Sequence, residues 1–213
     1  MRRSTLTHDP KTGRQTARPS LPKIVTCRSL ALKSLTEALD PARKHHLLDL
    51  GAATGSNVEF LGTFASRIEI EDLYSTLSSS GFFDRIGEPT EEYCFEKLMP
   101  FPASARFDII LCWDLLDYLK PEEIQALIRY LNRFCRRGTY LFVLSSTVKD
   151  IPAKPIRFKI QDQETIIYEY QTTQTLPAPR YTARDFSHML PGFHIQGSYQ
   201  LKHGMQEYLF VHE

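Results

Sequence analysis

Residues 46 to 55 read His-Leu-Leu-Asp-Leu-Gly-Ala-Ala-Thr-Gly, an apolar run followed by a turn that holds two glycines. The run is typical of a short strand buried on both faces, and the chain continues with apolar residues at helical spacing at Val58, Leu61 and Phe64. A buried strand, a tight turn and a helix therefore follow one another. In an open parallel sheet, ligands bind at the carboxyl ends of such strands.

Similar segments recur along the chain. Further strands are predicted at residues 67–71, 93–95, 107–113 and 139–144, and helices at 28–39, from Pro121 and, with a capping box to Asp185, from Thr182. Residues 156–160 and 165–170 indicate an inserted hairpin, and a short turn makes the last two strands, at about 194–201 and 206–212, antiparallel. Strands that alternate with helices in this way predict an α/β fold with a mostly parallel sheet.

The composition is that of a globular protein, with 213 residues, 42% hydrophobic content and a formal net charge of +1. This charge gives no reason to expect nucleic acid or an acidic membrane surface as a partner of the whole molecule. Cys27, Cys94, Cys112 and Cys135 lack the paired spacing of metal sites and are predicted to be reduced. Neither a membrane span nor a secretory signal is apparent, so a cytoplasmic location is expected.

The N-terminal residues differ from the rest of the chain. Residues 1–24 are rich in Arg, Lys and Pro and carry a single acid, Asp9, which predicts a flexible basic tail before one domain at residues 25–213. The alternatives are a basic arm for a phosphate-bearing partner, as in an RNA or ribosome modifier, and an organellar transit peptide. A solvated tail is the interpretation we favour.

The turn after the first buried strand has the features of a ligand loop. Its glycines allow backbone amides to approach a ligand, and the following helix N-terminus offers free N–H groups. Asp72 follows the second strand, where a carboxylate accepts hydrogen bonds from both hydroxyls of a ribose. The loop is too short for a phosphate-binding P-loop and lacks its lysine, and the G-x-G-x-x-G spacing of nicotinamide enzymes is absent.

These residues resemble the first two motifs of the class I S-adenosylmethionine-dependent methyltransferases, whose first motif is acid-x-Gly-x-Gly-x-Gly. Asp49, Gly51, Ala53 and Gly55 hold those positions, so alanine replaces the middle glycine. The resemblance continues at residues 96–98 and 112–114 and covers residues 28–213. It implies a Rossmann-like methyltransferase fold: a mostly parallel seven-stranded sheet with helices on both faces, a C-terminal antiparallel strand pair and a small inserted hairpin.

The resemblance also implies S-adenosyl-L-methionine as the cofactor. The residues implied to bind it are Asp49, Gly51, Ala52, Gly55, Asp72, Leu73, Leu98 and Trp113. Within this set, Asp49 would bond toward the methionine amino group, Asp72 would hold the ribose hydroxyls, and Leu73 and Leu98 would enclose the adenine. Trp113 would offer a π face to the sulfonium or to the substrate.

Asp114 and Tyr118 lie where the family places the methyl acceptor and are the candidate catalytic residues. Asp114 would accept a proton from the acceptor or hold its amine, and the alternative is that these residues only cap and pack a helix. Arg157, Tyr168 and Tyr170 of the hairpin are candidate substrate contacts, with an edge hairpin that merely extends the fold as the alternative. No bound metal is expected, because the fifth strand is followed by Ser and Thr instead of acids.

The predicted function is methyl transfer from S-adenosylmethionine by in-line displacement, so the predicted enzyme is an S-adenosylmethionine-dependent methyltransferase. The acceptor is unidentified, and a small molecule or a protein is expected in preference to a nucleic acid, with no membrane partner. The sequence does not indicate an oligomeric state. Ala53 and the lack of a recognisable acceptor motif motivate an alternative, a methyltransferase-like domain that has lost catalysis and serves as a binding or scaffold module.

Overall fold

The computed structural model describes residues 23–84 and 92–213. In chain order its elements are β1 (Ile24–Arg28), α1 (Leu30–Ala38), β2 (His45–Asp49), α2 (Gly55–Leu61), β3 (Ala65–Ile70), α3 (Leu73–Ser79), α4 (Glu92–Leu98), β4 (Ile109–Trp113), α5 (Pro121–Asn132), β5 (Tyr140–Ser146), β6 (Asp150–Pro152), β7 (Arg157–Asp162), β8 (Thr165–Glu169), β9 (Thr175–Pro177), α6 (Ala183–Met189), β10 (Phe193–Gln200) and β11 (Met205–His212). Short 3-10 turns at Leu115–Tyr118 and Lys202–Gly204 follow β4 and β10.

A six-stranded mixed sheet forms the centre of the fold, in the spatial order β10-β11-β5-β4-β2-β3. The neighbours β3, β2, β4 and β5 run parallel, β11 pairs antiparallel with β5, and β10 pairs antiparallel with β11. The carboxyl ends of β2 and β4 lie side by side, because Asp49 is paired with Leu111. These two ends position the candidate site.

Both faces of the central sheet are buried, which explains why its parallel strands read as continuous apolar runs. In β2, Leu48 belongs to the core on the side of α3, α5 and α6, whereas Leu47 belongs to the core on the side of α1 and α2. In β4, Ile110 and Leu111 divide in the same way. Alternate side chains of each strand therefore fill opposite layers.

The inserted hairpin completes the layer over α1 and α2. β7 and β8 pair antiparallel, as expected from the sequence, and β1 adds to β8 to give a three-stranded sheet. Its side chains Phe158, Ile166 and Tyr168 join the same core as Leu47 and Leu111. The N-terminal strand and the hairpin thus cover one face of the central sheet together.

Several sequence predictions are confirmed by the structure. The fold is α/β with a mixed central sheet, and a C-terminal antiparallel pair and an inserted hairpin are present. Helix α6 begins after Thr182, whose side chain and that of Asp185 cap each other's backbone N–H groups at 3.2 and 2.8 Å.

The seven-stranded sheet is corrected to six strands within residues 23–84 and 92–213. Residues 93–95, predicted as a strand, lie in helix α4 instead. Buried Phe95 is followed at helical spacing by Leu98 and Met99, which also pack against the core, and a three-residue apolar run does not distinguish strand from helix. Of the seven strands predicted for the sheet, the third is therefore a helix, α4, in the structure.

Other predictions fail at the level of single elements. Strand β1 is not predicted from the sequence, which assigns Ile24 to the tail, Arg28 to the first helix and residues 25–27 to no element. Strands β6 and β9 are not predicted either. Val58, predicted to face inward, is 43% exposed, whereas Asn57 and Leu61 are the buried residues of α2. The predicted tail falls outside the described residues except for Lys23 and Ile24, and Ile24 opens β1.

Candidate active site

A cavity of about 400 Å³ lies at the carboxyl ends of β2 and β4. Its walls come from the loop after β2 (Leu50–Ala52), one side of α3 from its N-cap Asp72 to Ser79, the end of β4 and residues 154–158 at the start of β7. This volume falls within the ordinary range of small-molecule sites, and the place is the one where open α/β sheets bind ligands. The structure therefore brings the loop, Asp72 and the end of β4 together, as the sequence predicts.

Asp49 ends β2 beneath this cavity and is 2% exposed. Its Oδ1 accepts hydrogen bonds from the backbone N–H of Gly51 at 2.9 Å and from the indole Nε1 of Trp113 at 2.6 Å. Burial raises the pKa of Asp49 to about 6, against the opposing effect of these two hydrogen bonds, and the nearby charge of Asp72 adds to the rise. The carboxyl group is therefore mainly ionised at neutral pH.

The two glycines of the loop are placed differently. A Cβ on Gly51 would lie 2.5 Å from Cδ1 and 2.8 Å from Nε1 of Trp113, so no side chain fits there. A Cβ on Gly55, the first residue of α2, would meet nothing within 4 Å. Gly51 and Ala52 line the cavity, whereas Gly55 and the exposed Ala53 are not part of its lining.

Asp72 lines the cavity and is the N-cap of α3, where its Oδ1 accepts from the N–H of Ser75 at 3.2 Å. One carboxylate oxygen thus has a structural partner. Leu73, the next residue, is fully buried in the core, and Leu98 packs against the same core from α4. Neither leucine is part of the cavity lining, so their contact with an adenine stays a prediction.

Trp113 is the last residue of β4 and has a left-handed backbone with φ of 51°. A β-bulge interrupts the pairing of β4 with β5 just before it. Left-handed backbone is unfavourable for a residue with a bulky side chain, and such strain is commonly found at functional sites. The indole lies 5.2 Å from the ring of Phe158, with an angle of 7° between the rings, and lines the cavity.

Two buried carboxyl groups follow Trp113. Asp114 lines the cavity, and its Oδ2 accepts from the N–H of Ile156 at 3.0 Å. Burial raises the pKa of Asp114 to about 8, so this group is mainly protonated at neutral pH. Asp117 accepts from the hydroxyl of Ser145 at 2.8 Å and from the N–H of Ser146 at 2.7 Å, and burial raises its pKa to about 7. The hydrogen bonds of Asp117 thus hold the end of β5.

Tyr118 has a structural partner as well. Its hydroxyl donates to the carbonyl of Pro152 at 3.0 Å, and burial raises its pKa above that of a free tyrosine. Tyr74 of α3, whose ring meets that of Tyr118 edge to face at 5.1 Å, donates to the carbonyl of Ala153 at 3.3 Å. Together with Asp114, the two tyrosines hold the segment that leads from β6 to β7 against the cavity.

Sequence reasoning missed Asn57. This residue of α2 is buried, and its amide donates to the carbonyl of Phe158 at 3.1 Å and accepts from the N–H of Ile160 at 2.8 Å. The side chain thereby binds the outer edge of β7 as a neighbouring strand would. The available signal was a polar residue one turn before the apolar Leu61 in the predicted helix, but its partners lie about a hundred residues away in the sequence.

The hairpin contributes to the site mainly through its first residues. Arg157, one of the predicted substrate contacts, lines the cavity with Lys154, and Gln171 does so from beyond β8. Tyr168 is buried, with its ring edge to face against Phe158 at 4.9 Å. Lys154, Phe158 and Gln171 were not predicted, because nothing in the sequence shows how far the hairpin folds back.

The described residues contain neither a metal-ligand cluster nor a membrane-spanning helix. In the ranges 23–84 and 92–213, no group of three or more His, Cys, Asp or Glu side chains is arranged to hold a metal ion. None of the helices in these ranges combines the length and the apolar character required to cross a membrane.

Comparison with known proteins places these features in context. No protein-family profile matches the chain. A protein-L-isoaspartate O-methyltransferase of Xanthobacter autotrophicus (strain ATCC BAA-1158 / Py2) is 30% identical over 121 residues, which are 46% of this chain and 55% of that protein. The chain thus matches about half the length of this curated relative.

A solved structure is similar over most of the chain. It is that of an S-adenosylmethionine-dependent methyltransferase from Clostridium acetobutylicum ATCC 824, with a TM-score of 0.50 and 11% identity, and the match covers 85% of this chain and 89% of that one. At this identity the match establishes the fold. The resemblance drawn from the sequence is confirmed at that level: this chain has the fold of the class I S-adenosylmethionine-dependent methyltransferases.

Proposed function

We propose that this protein binds S-adenosylmethionine in the cavity beside Asp49 and transfers its methyl group to an acceptor that enters the same cavity. The observation that carries the proposal is the meeting of Gly51, Asp72 and Asp114 in one cavity at the ends of β2 and β4. A methyltransferase fold supports it, since this edge of the sheet is the ligand edge.

The cavity suggests roles for three of the residues that line it and for Asp49 beneath it. Gly51 and Ala52 present backbone to the cofactor, and the Asp72 oxygen that does not cap α3 is available to ribose hydroxyls. Asp49 supports the loop from below, with an anionic charge for the cofactor's amino group. For Gly55, Leu73 and Leu98, a contact with the cofactor remains a sequence-based proposal.

Bound S-adenosylmethionine would supply an activated methyl group, so the protein has mainly to align the acceptor and exclude water. Asp114, being mainly neutral, suits hydrogen bonding to an acceptor better than removal of its proton. The hydroxyl of Tyr118 is held by Pro152, which favours a supporting role over a catalytic one. No described feature favours the alternative of a non-catalytic scaffold, because Ala53 is exposed and outside the cavity lining.

Calorimetry with S-adenosylhomocysteine and S-adenosylmethionine tests the cofactor. We expect binding by the wild type and a loss of at least about tenfold in affinity for Asp72→Asn, since one charge-assisted hydrogen bond to the ribose is lost. Asparagine preserves the helix cap, so the variant should stay folded. Glu59→Ala, which changes an exposed acid of α2, is the matched control and should bind normally. Absence of binding by folded wild type at millimolar ligand refutes the proposal.

For the acceptor, a carboxylate is the chemistry that we propose to test first. Lys154 adds positive charge to one wall of the cavity beside Arg157, whose guanidinium also pairs with Glu169 at 3.6 Å. The curated relative is named for methylation of isoaspartate. Labelled S-adenosylmethionine should transfer its methyl group to an isoaspartyl peptide and not to the matched asparaginyl peptide. Equal labelling of both peptides, or of neither, would redirect the search to another small-molecule or protein acceptor.

A further inference from the structure

The side chain of Trp113 connects two parts of the site that are far apart in the sequence. Its indole N–H donates to Asp49 at the end of β2, at 2.6 Å, and its ring stacks on Phe158 at the start of the hairpin. The adjoining loop residue, Gly51, lies so close to the indole that a single added carbon would approach it within 2.5 Å. Trp113 therefore packs against the loop and the hairpin at once.

From this geometry, we infer that Trp113 is a positioning residue. Its indole N–H orients the Asp49 carboxylate, and its ring packs between the loop after β2 (Leu50–Ala52) and the inserted hairpin and fixes their relative position. The inference rests on the proposed binding of S-adenosylmethionine. A residue that merely filled space would need neither the hydrogen bond nor a left-handed backbone with φ of 51°.

The hydrogen bond has an electrostatic consequence. A donor to an ionised carboxylate favours the charged form, so the indole opposes the rise in pKa that burial causes at Asp49. Asp72 adds a like charge from the start of α3, and the thiol of Cys112 in β4 stays neutral because burial raises its own pKa. The indole is thus one of two hydrogen-bond donors, with the Gly51 amide, that hold Asp49 ionised near neutral pH.

The first test needs no ligand. Trp113 is the single tryptophan of the chain, so intrinsic fluorescence reports directly on this contact. We expect a fluorescence step near pH 6 in the wild type, its loss in Asp49→Asn and its retention in Asp114→Asn, with circular dichroism showing that each variant is folded. A step that persists in Asp49→Asn, or the absence of any step between pH 4.5 and 7, overturns the inference.

The second test follows binding of S-adenosylhomocysteine across pH. With a pKa of about 6 for Asp49, wild-type affinity should fall about tenfold from pH 7.5 to pH 5. Trp113→Phe removes the donor and should move the midpoint of this profile upward by about one pH unit. Phe142→Leu removes an edge contact to the indole, 5.6 Å between ring centres, and leaves the hydrogen bond intact, so it should keep the wild-type midpoint.

The two tests separate the inference from the function on which it rests. An unchanged midpoint in Trp113→Phe, with normal binding by the wild type, overturns the positioning role and leaves the methyltransferase proposal standing. A wild type that does not bind the nucleoside refutes the proposed function and, with it, the role of Trp113 toward a cofactor. The fluorescence step then still decides whether the indole holds the Asp49 carboxylate.

Discussion

Replacement of Gly51 by alanine is the perturbation whose effect the structure defines most sharply. The new Cβ would lie 2.5 Å from Cδ1 of Trp113 and 3.2 Å from Oδ1 of Asp49. The indole has little freedom to retreat, because it stacks on Phe158, meets Phe142 edge to face and is hydrogen-bonded to Asp49. Gly51→Ala should therefore displace the indole and break its hydrogen bond.

The expected cost has two parts. Overpacking of a rigid contact costs about 1–3 kcal/mol, and loss of a hydrogen bond to a charged group costs about 1.5–3 kcal/mol. The parts overlap, since movement of the indole relieves the clash that it causes, so we expect a loss of about 3 kcal/mol. For a chain of this size, that corresponds to a fall of about 6–12 °C in melting temperature.

Gly55→Ala is the matched control, because it is the same substitution four residues further along the chain. Its Cβ would meet nothing within 4 Å at the first residue of α2, where alanine is well tolerated. We expect a change between zero and a gain of about 1 kcal/mol, chiefly from reduced flexibility of the unfolded chain.

Urea denaturation followed by circular dichroism measures both variants, and Trp113 fluorescence of the native state reports the displaced indole. Equal stability of Gly51→Ala and Gly55→Ala would contradict the close approach of the loop to the indole. A large loss in Gly55→Ala would show that the glycine pattern, and not the contact with Trp113, restricts the loop.

Three further changes test other contacts. Asn57→Ala leaves two buried backbone groups of β7 without partners and should lower the free energy of unfolding by about 2–4 kcal/mol in urea denaturation, whereas a loss below about 1 kcal/mol would contradict its role. Asp114 has a folded-state pKa of about 8, above its unfolded value, so its stabilising effect is greatest in acid and is lost as pH rises to about 8. The melting temperature of Asp114→Asn relative to that of the wild type should therefore rise from pH 5 to pH 9. A difference that stays constant over this range would refute the prediction. Tyr118→Phe loses one hydrogen bond, about 1 kcal/mol, and should reduce kcat less than tenfold, whereas a fall of a hundredfold or more would restore it as a catalytic residue.

The parts of the fold that sequence reasoning predicts are those coded by local patterns. Strand β4 is predicted by its apolar run, α5 by its apolar periodicity and the proline in its first turn, and α6 by its capping box. These signals act within a few residues of the chain. Strand β1 and helix α4 were missed for the opposite reason. Pairing of β1 with β8 joins residues about 140 positions apart, and short segments such as these take their form from such partners.

The candidate site divides in the same way. The closeness of Asp49, Gly51 and Asp72 is predictable, because motif positions at strand ends converge in any parallel sheet, and their contact with a cofactor stays a proposal. The tyrosine and aspartate contacts to residues 152–156 were not found, since they depend on where an insertion folds back. That Trp113 faces the cofactor stays a prediction; the structure shows that Trp113 lines the cavity and that its indole N–H donates to Asp49.

The binding of Asn57 to the edge of β7 has a consequence for the behaviour of the protein among other chains. The edge of a sheet offers unpaired N–H and C=O groups on which a strand from another molecule can grow, and this is a common origin of aggregation. On β7 the carbonyl of Phe158 and the N–H of Ile160 are occupied by one amide side chain of the same molecule. A residue that docks the hairpin thus also keeps that edge from recruiting a second copy.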